Sequence, residues 1–402
     1  MDHIRQDKSL AIINQIIMAI IYSQIKAKTW LPLCFALLVW GSSGCGINLP
    51  SPPPNLFYKF TVLEVGRGPA HLISVDLNLD GYIDLVSANA KNNTLSILLG
   101  EGNGLFRKAL TFQVGSEPTT VATGDVNRDG IPDLFTNARG EAKFTVLLGY
   151  GNGSFRKLPG VRTGRVPLKI IPADFNSDGN LDMAVTLTFN KMEIFLGFGN
   201  GTFKKGKTYL TGSRSFSGIV EDFDRDGNID IALATSSSVS SSIRLYKGNG
   251  DGTFSKPRQI AQGLIPLTLI KVDMNNNGLQ DLIFAAGQGD NMYMLFSRGD
   301  GTFKKEIAFS GGGGPIALTA GYFNSDDQMD IAVANSRSSN FSIVVRKANG
   351  FFHYPTRDYV VDGGTPLAIT SSDFNDDGMA DIAVSSNAKN TIEIYLQRRV
   401  FP

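Results

Sequence analysis

The sequence has few of the residues on which most enzymatic and covalent chemistry depends. Only two of its 402 residues are cysteine, Cys34 and Cys45, and both precede the repetitive region, so no disulfide or thiol site is expected in the folded part. Of three histidines, His71 and His353 lie in that region, and neither has metal-ligand spacing around it. Nucleophile elbows, phosphate-binding loops and zinc motifs are absent from the sequence. These absences argue against an enzyme.

Charge and helical periodicity are also scarce. The formal net charge is +1 and no basic block occurs, which argues against a nucleic-acid partner. After about residue 50 the sequence offers almost no long helical pattern. Instead, 44 glycines and 17 prolines separate short β-branched and aromatic runs, a composition typical of many strands joined by tight turns.

The first fifty residues have the order of a secretory signal. Lys26 and Lys28 precede the apolar run Leu31–Trp40, and small residues follow at 41–44. An apolar run of about ten residues is too short for a bilayer, which needs about twenty. We therefore expect residues 1–44 to be removed on export.

Cys45 follows Ser42-Ser43-Gly44, a segment that resembles a bacterial lipobox with serine where leucine is usual. Either a lipid on Cys45 tethers the mature chain to a membrane, or ordinary cleavage releases a secreted protein. The proline-rich residues 45–55 would then form an extended tether. Both alternatives predict an exported protein, either a cell-surface or outer-membrane lipoprotein or a secreted one.

Residues 56–402 consist of seven units whose aspartate-rich loops begin 48 to 51 residues apart. Each unit contains short apolar runs bounded by Gly, Asn or Ser, which predicts a four-stranded antiparallel meander. Such a period is typical of a propeller blade, so we predict an all-β, seven-bladed β-propeller. Residues 56–65 resemble a fourth strand, whereas the chain ends after a third strand at 391–396. An N-terminal strand is therefore expected to complete the last blade.

The loop of each unit follows the pattern Asp-x-Asn-x-Asp-Gly-x-x-Asp. Side-chain oxygens at positions 1, 3, 5 and 9, with glycine at position 6 for the sharp turn, suit a calcium ion. An EF-hand would need glutamate at position 12 and flanking helices, which are missing; the alternative is a set of Asx-rich turns without an ion. The predicted calcium ligands are Asp76, Asn78, Asp80 and Asp84; Asp125, Asn127, Asp129 and Asp133; Asp174, Asn176, Asp178 and Asp182; Asp222, Asp224, Asp226 and Asp230; Asp273, Asn275, Asn277 and Asp281; and Asp373, Asn375, Asp377 and Asp381.

Two loops depart from the pattern. The fifth has Asn277 in place of a carboxylate, so weaker binding is expected there. The sixth has Tyr322 at position 1 and Asp327 at position 6, which predicts a loop without an ion.

A second motif, Gly-Asn-Gly-x-Phe, accompanies the loops at 102–106, 151–155 and 199–203. Together the two motifs resemble the FG-GAP (VCBS-type) repeat of the integrin α-subunit propeller and its bacterial relatives. The resemblance implies calcium loops between strands one and two of each blade, where they serve stability. It also implies roles in adhesion, sugar binding or, within larger enzymes, polysaccharide degradation.

A partner is expected on the face opposite the calcium loops, because loops on a rigid scaffold carry function. The candidates there are Asn92, Arg139 and Arg337, and at the channel mouth His71 and Lys169. The alternative is that they are ordinary solvated residues. His71 with Lys169 is the one pair that merits a catalytic test.

These observations predict a monomeric, exported module that binds a protein or glycan in adhesion and has no catalytic residues. The alternatives are a polysaccharide-degrading, lyase-type enzyme and a purely structural surface protein.

Overall fold

The structure, a computed structural model, describes residues 55–237, 241–287, 289–324, 326–347, 352 and 357–399. The predicted export segment, Cys45 and nearly all of the tether lie outside these ranges, as does His353. Regular structure within the ranges is entirely β-strand, and no described helix could cross a membrane.

The described strands form seven antiparallel sheets, the blades of a β-propeller. Blades one to three contain β2 (Pro69–Val75), β3 (Asp84–Asn89), β4 (Thr94–Leu98) and β5 (Leu110–Gln113); β6 (Val121–Gly124), β7 (Asp133–Ala138), β8 (Lys143–Gly149), β9 (Phe155–Lys157) and β10 (Val161–Arg162); and β11 (Pro167–Ala173), β12 (Asp182–Leu187), β13 (Lys191–Gly197) and β14 (Phe203–Leu210). Blades four to six contain β15 (Arg214–Glu221), β16 (Asp230–Ser236), β17 (Ser242–Tyr246) and β18 (Arg258–Ile260); β19 (Pro266–Val272), β20 (Asp281–Ala286), β21 (Asn291–Leu295) and β22 (Ile307–Ser310); and β23 (Pro315–Gly321), β24 (Asp330–Asn335), β25 (Asn340–Val344) and β26 (Arg357–Val360). Blade seven contains β27 (Ile369–Ser372), β28 (Asp381–Ser386), β29 (Thr391–Gln397) and β1 (Phe57–Glu64).

The ring is closed by β1, which pairs antiparallel with β29 as the outer strand of blade seven. The predicted closing strand is thereby confirmed. Its Lys59 ammonium lies 2.7 Å from the Glu393 carboxylate, which is fully buried. Tyr395 donates a hydrogen bond of 2.8 Å to the same carboxylate. The pairing of β1 with β29 is therefore stabilised by backbone hydrogen bonds and by an ion pair.

The core lies between neighbouring blades. The second strand of every blade is buried along almost its whole length, as in β3 and β12, because a blade packs on each of its faces. One hydrophobic cluster, for example, joins Phe323 and Phe341 of blade six with Ile382 of blade seven. The wholly apolar runs in the sequence are explained by this burial on both faces.

The innermost strands surround the centre of the ring. Each contacts the next in the order β2, β6, β11, β15, β19, β23 and β27, and β27 contacts β2. In five of these strands the pairing with the second strand skips one residue, which marks a β-bulge; the skipped residues are Ala70, Leu168, Phe216, Leu267 and Ile316. A bulge changes the direction of the side chains beside it. In these five strands the residue after the bulge lines the central cavity.

Candidate functional site

The aspartate-rich loops join strands one and two of each blade, all at one face of the ring, which we call the aspartate face. The last aspartate of each loop is buried and has a structural role. In blade one, Asp84 Oδ2 accepts the Leu77 N–H at 2.9 Å and Oδ1 accepts the Gly100 N–H at 2.8 Å. The equivalent pair of bonds occurs in all seven blades. Position 9 thus joins the loop to the end of strand three.

Burial raises the pKa of these position-9 carboxyl groups. The pKa rises to about 6 at Asp84 and Asp182, and to about 7 at Asp330 and Asp381. The neighbouring loop carboxylates raise the pKa further, whereas the backbone N–H donors oppose both effects. A cation in the loop would favour the charged carboxylates and reverse this shift.

The remaining polar positions shape the turn. In blade one, Asp76 Oδ2 accepts the Gly81 N–H at 2.9 Å, and Asn78 donates to Asp80 at 2.8 Å. Gly81 has φ of +89°, which explains why glycine recurs at position 6. These bonds leave several acceptors unused.

Four buried loop oxygens have no hydrogen-bond donor among the described residues: Asp76 Oδ1, Asp224 Oδ1, Asn275 Oδ1 and Asn375 Oδ1. A buried acceptor without a partner is costly, and a hard cation satisfies it. All four occupy position 1 or 3 of a loop. The donor set, oxygen atoms only, therefore fits calcium.

The fourth loop differs from the other loops because positions 1, 3 and 5 are all aspartates, and a lysine lies beside them. Asp222, Asp224 and Asp226 each place a carboxylate oxygen within 4.8 Å of the others. The Lys247 ammonium forms ion pairs with Asp224 and Asp226, the latter at 2.9 Å. The lysine charge offsets the extra carboxylate.

The sixth loop retains only part of this arrangement. Asn324 still donates to Asp326 at 3.1 Å, and Asp330 keeps both backbone partners. Tyr322 has no carboxylate to offer at position 1, and Asp327 takes φ of +54° where other blades have glycine. The prediction that this loop holds no ion remains a prediction, and the missing ligand is its physical basis.

The opposite face, the loop face, carries the turns between strands two and three and the crossovers between blades. Two predicted ligand residues hold these loops together. Asn92 Oδ1 accepts the Arg67 N–H at 2.7 Å, and Arg337 forms an ion pair with Asp290. Arg139 lines a shallow groove, and its Nε has no hydrogen-bond partner in the described part of the chain. Of the three, Arg139 has the most freedom to contact a partner.

A central cavity of about 590 Å³ lies at the centre of the ring. Six blades contribute one equivalent position each to its lining: His71, Lys169, Ser217, Thr268, Ala317 and Ala368. In blade two the equivalent Thr120 is buried, and Thr119 lines the cavity instead. His71 and Lys169, which the sequence places at the channel mouth, are two of these six lining positions.

His71 and Lys169 meet across the mouth of the cavity, with 3.0 Å between Nε2 and Nζ. Burial lowers the pKa of Lys169 to about 8. Burial, and secondarily the Lys169 charge, lowers the pKa of His71 well below its usual range. At neutral pH the pair is thus an ammonium donating to a neutral imidazole.

Exposed aromatic residues on the loop face escaped the sequence-based prediction. Phe189, in the turn between β12 and β13, is 69% exposed and takes φ of +61°. The Arg165 guanidinium lies 5.1 Å from its ring centroid. An aromatic residue between Thr188 and Asn190, at a turn tip where polar residues are usual, is the signal that could have found it.

Comparison with known proteins identifies the repeat. A family model described as FG-GAP-like repeat matches residues 76–136, 174–233, 222–284 and 273–333, which together exceed half of the chain. No curated protein sequence matches it significantly.

Solved structures share the fold at low sequence identity. BBS1N in complex with ARL6DN, in crystals soaked with lead and with mercury, gives TM-scores of 0.59 and 0.62 at 13% identity, over 86% of this chain and 98% of that chain. A protein from Lactobacillus plantarum gives 0.55 at 14% identity, over 75% and 88% of the two chains. An Agrocybe aegerita lectin that recognises non-reducing terminal N-acetylglucosamine gives 0.52 at 16% identity, over 79% and 86%.

Proposed function

The chain belongs to the FG-GAP-like repeat family, and from this premise we propose that it is an exported, calcium-stabilised binding module whose loop face holds a glycan or protein partner. The observation that carries this proposal is Phe189, a largely exposed aromatic ring held at a turn tip in a left-handed conformation. Fifteen other described non-glycine residues also have positive φ, so the exposure of the aromatic ring, and not its φ angle, distinguishes this turn tip.

In this proposal the aspartate face serves stability and the loop face binds the partner. On the aspartate face, calcium would be held by the position 1, 3, 5 and 9 oxygens, and it would stabilise the hairpins. On the loop face, Phe189 and Arg165 offer an apolar surface beside a cation. Phe216, 47% exposed at the cavity mouth, adds a second aromatic ring. Aromatic rings pack against the apolar faces of sugars, and aromatic residues with arginine are also enriched at protein interfaces, so these residues suit either kind of partner.

Similar propellers give context for both kinds of partner. The lectin recognises a terminal N-acetylglucosamine, and BBS1N is found in complex with ARL6DN. At the observed identities these proteins support the use of the fold for binding, and they do not identify the ligand of this chain.

A matched pair of variants tests the loop face. Phe189 and Phe198 are both exposed residues of blade three, at 69% and 60%, but Phe198 follows β13 at the aspartate face. On a glycan array with calcium present, we expect Phe189→Ser to lose at least about tenfold in affinity and Phe198→Ser to bind as the wild type does.

Three results would count against the proposal. The array and a parallel protein pull-down could both give no calcium-dependent binding. The two variants could bind equally. Release of unsaturated products from uronic-acid polymers would indicate the lyase alternative instead.

Export and tethering are a separate part of the proposal, based on the sequence order of residues 1–55. Fractionation of cells expressing the wild type and Cys45→Ala tests it. A lipoprotein moves from the membrane fraction to the soluble exported fraction on substitution. A secreted protein is soluble in both cases, and retention inside the cell would refute export.

A further inference from the structure

The central cavity contains a cation without a counter-ion. Lys169 lines it from β11, and none of the described residues that line it is an aspartate or glutamate. The partly buried Lys59, by contrast, has a carboxylate partner, because its ammonium lies 2.7 Å from Glu393. A buried charge normally needs a partner of opposite sign, and Lys169 has only the neutral imidazole of His71.

The pair also leaves hydrogen-bond donors unused. An ammonium has three N–H donors, and His71 accepts one of them at Nε2. A neutral imidazole that accepts at Nε2 carries its proton on Nδ1. His71 Nδ1 is buried and has no partner among the described residues. The other two N–H bonds of the Lys169 ammonium have no acceptor among the described residues and can donate to a ligand in the cavity, whereas the buried Nδ1 of His71 is closed to a ligand.

The rest of the lining is mainly aliphatic and includes the partly buried residues Leu267, Ile316 and Leu367. A cavity of about 590 Å³ lies within the range of small-molecule sites, roughly 300–1,000 Å³. A site with one cation at its mouth and apolar walls behind it suits a ligand that is charged at one end and apolar at the other.

We propose that the central cavity binds a small organic monoanion, a carboxylate with an apolar tail, whose carboxylate contacts the Lys169 ammonium. One lysine balances one negative charge, so a phosphate dianion fits less well. Burial lowers the pKa of Lys169 only to about 8, so the ammonium persists at neutral pH. This site is independent of glycan or protein binding at Phe189.

Calorimetry of the full-length chain at pH 6.5 with saturated carboxylates from acetate to decanoate tests the proposal. We expect saturable binding that strengthens with tail length, and octanoate serves as the reference probe. Lys169→Met, which keeps the length of the side chain but not its charge, should weaken octanoate binding by about tenfold or more. The control is Lys204→Met, an exposed lysine on β14 of the same blade, which should leave binding unchanged.

Octan-1-ol provides a test that needs no variant, because it keeps the tail and lacks the charge; we expect it to bind the wild type at least tenfold more weakly than octanoate. The proposal is overturned if no carboxylate of the series binds saturably. Equal affinity of the wild type and Lys169→Met for octanoate would also overturn it. So would binding of acetate or inorganic phosphate as tight as that of octanoate.

Discussion

The seam between β1 and β29 allows a sharp test of ring closure, because β1 carries one buried and one exposed phenylalanine. Phe57 is 2% exposed, and its ring meets Phe323 and Tyr359 edge-on at 5.7 and 5.8 Å between centroids. Phe60 is 39% exposed, and the pairing with β29 skips it, as in a bulge. We expect Phe57→Ala to destabilise the ring far more than Phe60→Ala does.

The size of the difference follows from burial. Truncation of a buried phenylalanine costs about 3–5 kcal/mol, which includes the loss of ring contacts. A largely exposed side chain away from the core costs about 0.5 kcal/mol, and the contact of Phe60 with Tyr58 raises this to at most about 1 kcal/mol. The free energies of unfolding of the two variants should therefore differ by at least about 2 kcal/mol.

Urea unfolding at a fixed calcium concentration measures this difference. Hydrogen exchange of the β29 backbone amides gives a second measurement, because β29 becomes an edge strand when β1 detaches. We expect faster exchange in β29 of Phe57→Ala and wild-type exchange in Phe60→Ala. Equal losses of stability, or unchanged exchange in both variants, would refute the assignment of β1 as the closing strand.

Three further predictions concern the ions and the cavity. Calcium should raise the midpoint of thermal unfolding, and a chelator should lower it. At a calcium concentration one hundred times the dissociation constant, each occupied site should add about 2.7 kcal/mol to the free energy of unfolding. An unchanged midpoint would contradict the calcium assignment. Lys247→Met removes the ammonium that pairs with Asp224 and Asp226. Melting curves should show that the variant is less stable than the wild type without calcium and is stabilised more by calcium, because the calcium affinity of the fourth loop rises about two- to fivefold. A smaller stabilisation by calcium than in the wild type would contradict competition between Lys247 and the ion. Octanoate affinity should be constant from pH 6.5 to 7.5 and fall as the pH rises through about 8, where Lys169 loses its proton, by about tenfold per unit in calorimetry. The pKa of His71, the other titratable group among the described lining residues, lies well below this range, so a fall centred below pH 7 would contradict the role of Lys169.

Most of the fold is predictable from the sequence, because the repeat spacing, the apolar runs and the turn residues all indicate the same four-stranded blade. Tyr322 and Asp327 interrupt one loop, yet the apolar runs around them still form β23 and β24. The closing strand is predictable because a spare strand at residues 56–65 matches a missing one at the other end of the repeat.

The bulges of the inner strands are not predictable in the same way. A bulge adds one residue to a strand, and Leu168 and Leu267 are apolar residues that would fit a regular strand equally well. Their effect on the direction of Lys169 and Thr268 appears only when the partner strand is present.

The sequence predicts polar residues that belong to the candidate site but not which contacts their side chains make. The sequence brings His71 and Lys169 to equivalent positions of blades one and three, but the 3.0 Å contact depends on the width of the ring. Asn92 is chemically suited to a ligand, and only the path of the preceding crossover shows that its side chain binds the Arg67 N–H instead. A polar residue in a loop does not reveal its partner when that partner is backbone.

The position of β1 in blade seven also determines when the protein can finish folding. Leu56 N–H donates to Tyr359 Oη across a sequence separation of 303 residues, and Arg398 N–H donates to Leu56 O at 2.7 Å. During synthesis β1 therefore emerges first and waits for the last blade, with Tyr58 and Val62 on a strand that has no partner. An unpaired strand of this kind is prone to association with other chains. Assembly of the ring thus ends with the pairing of its first and last strands in sequence, β1 and β29.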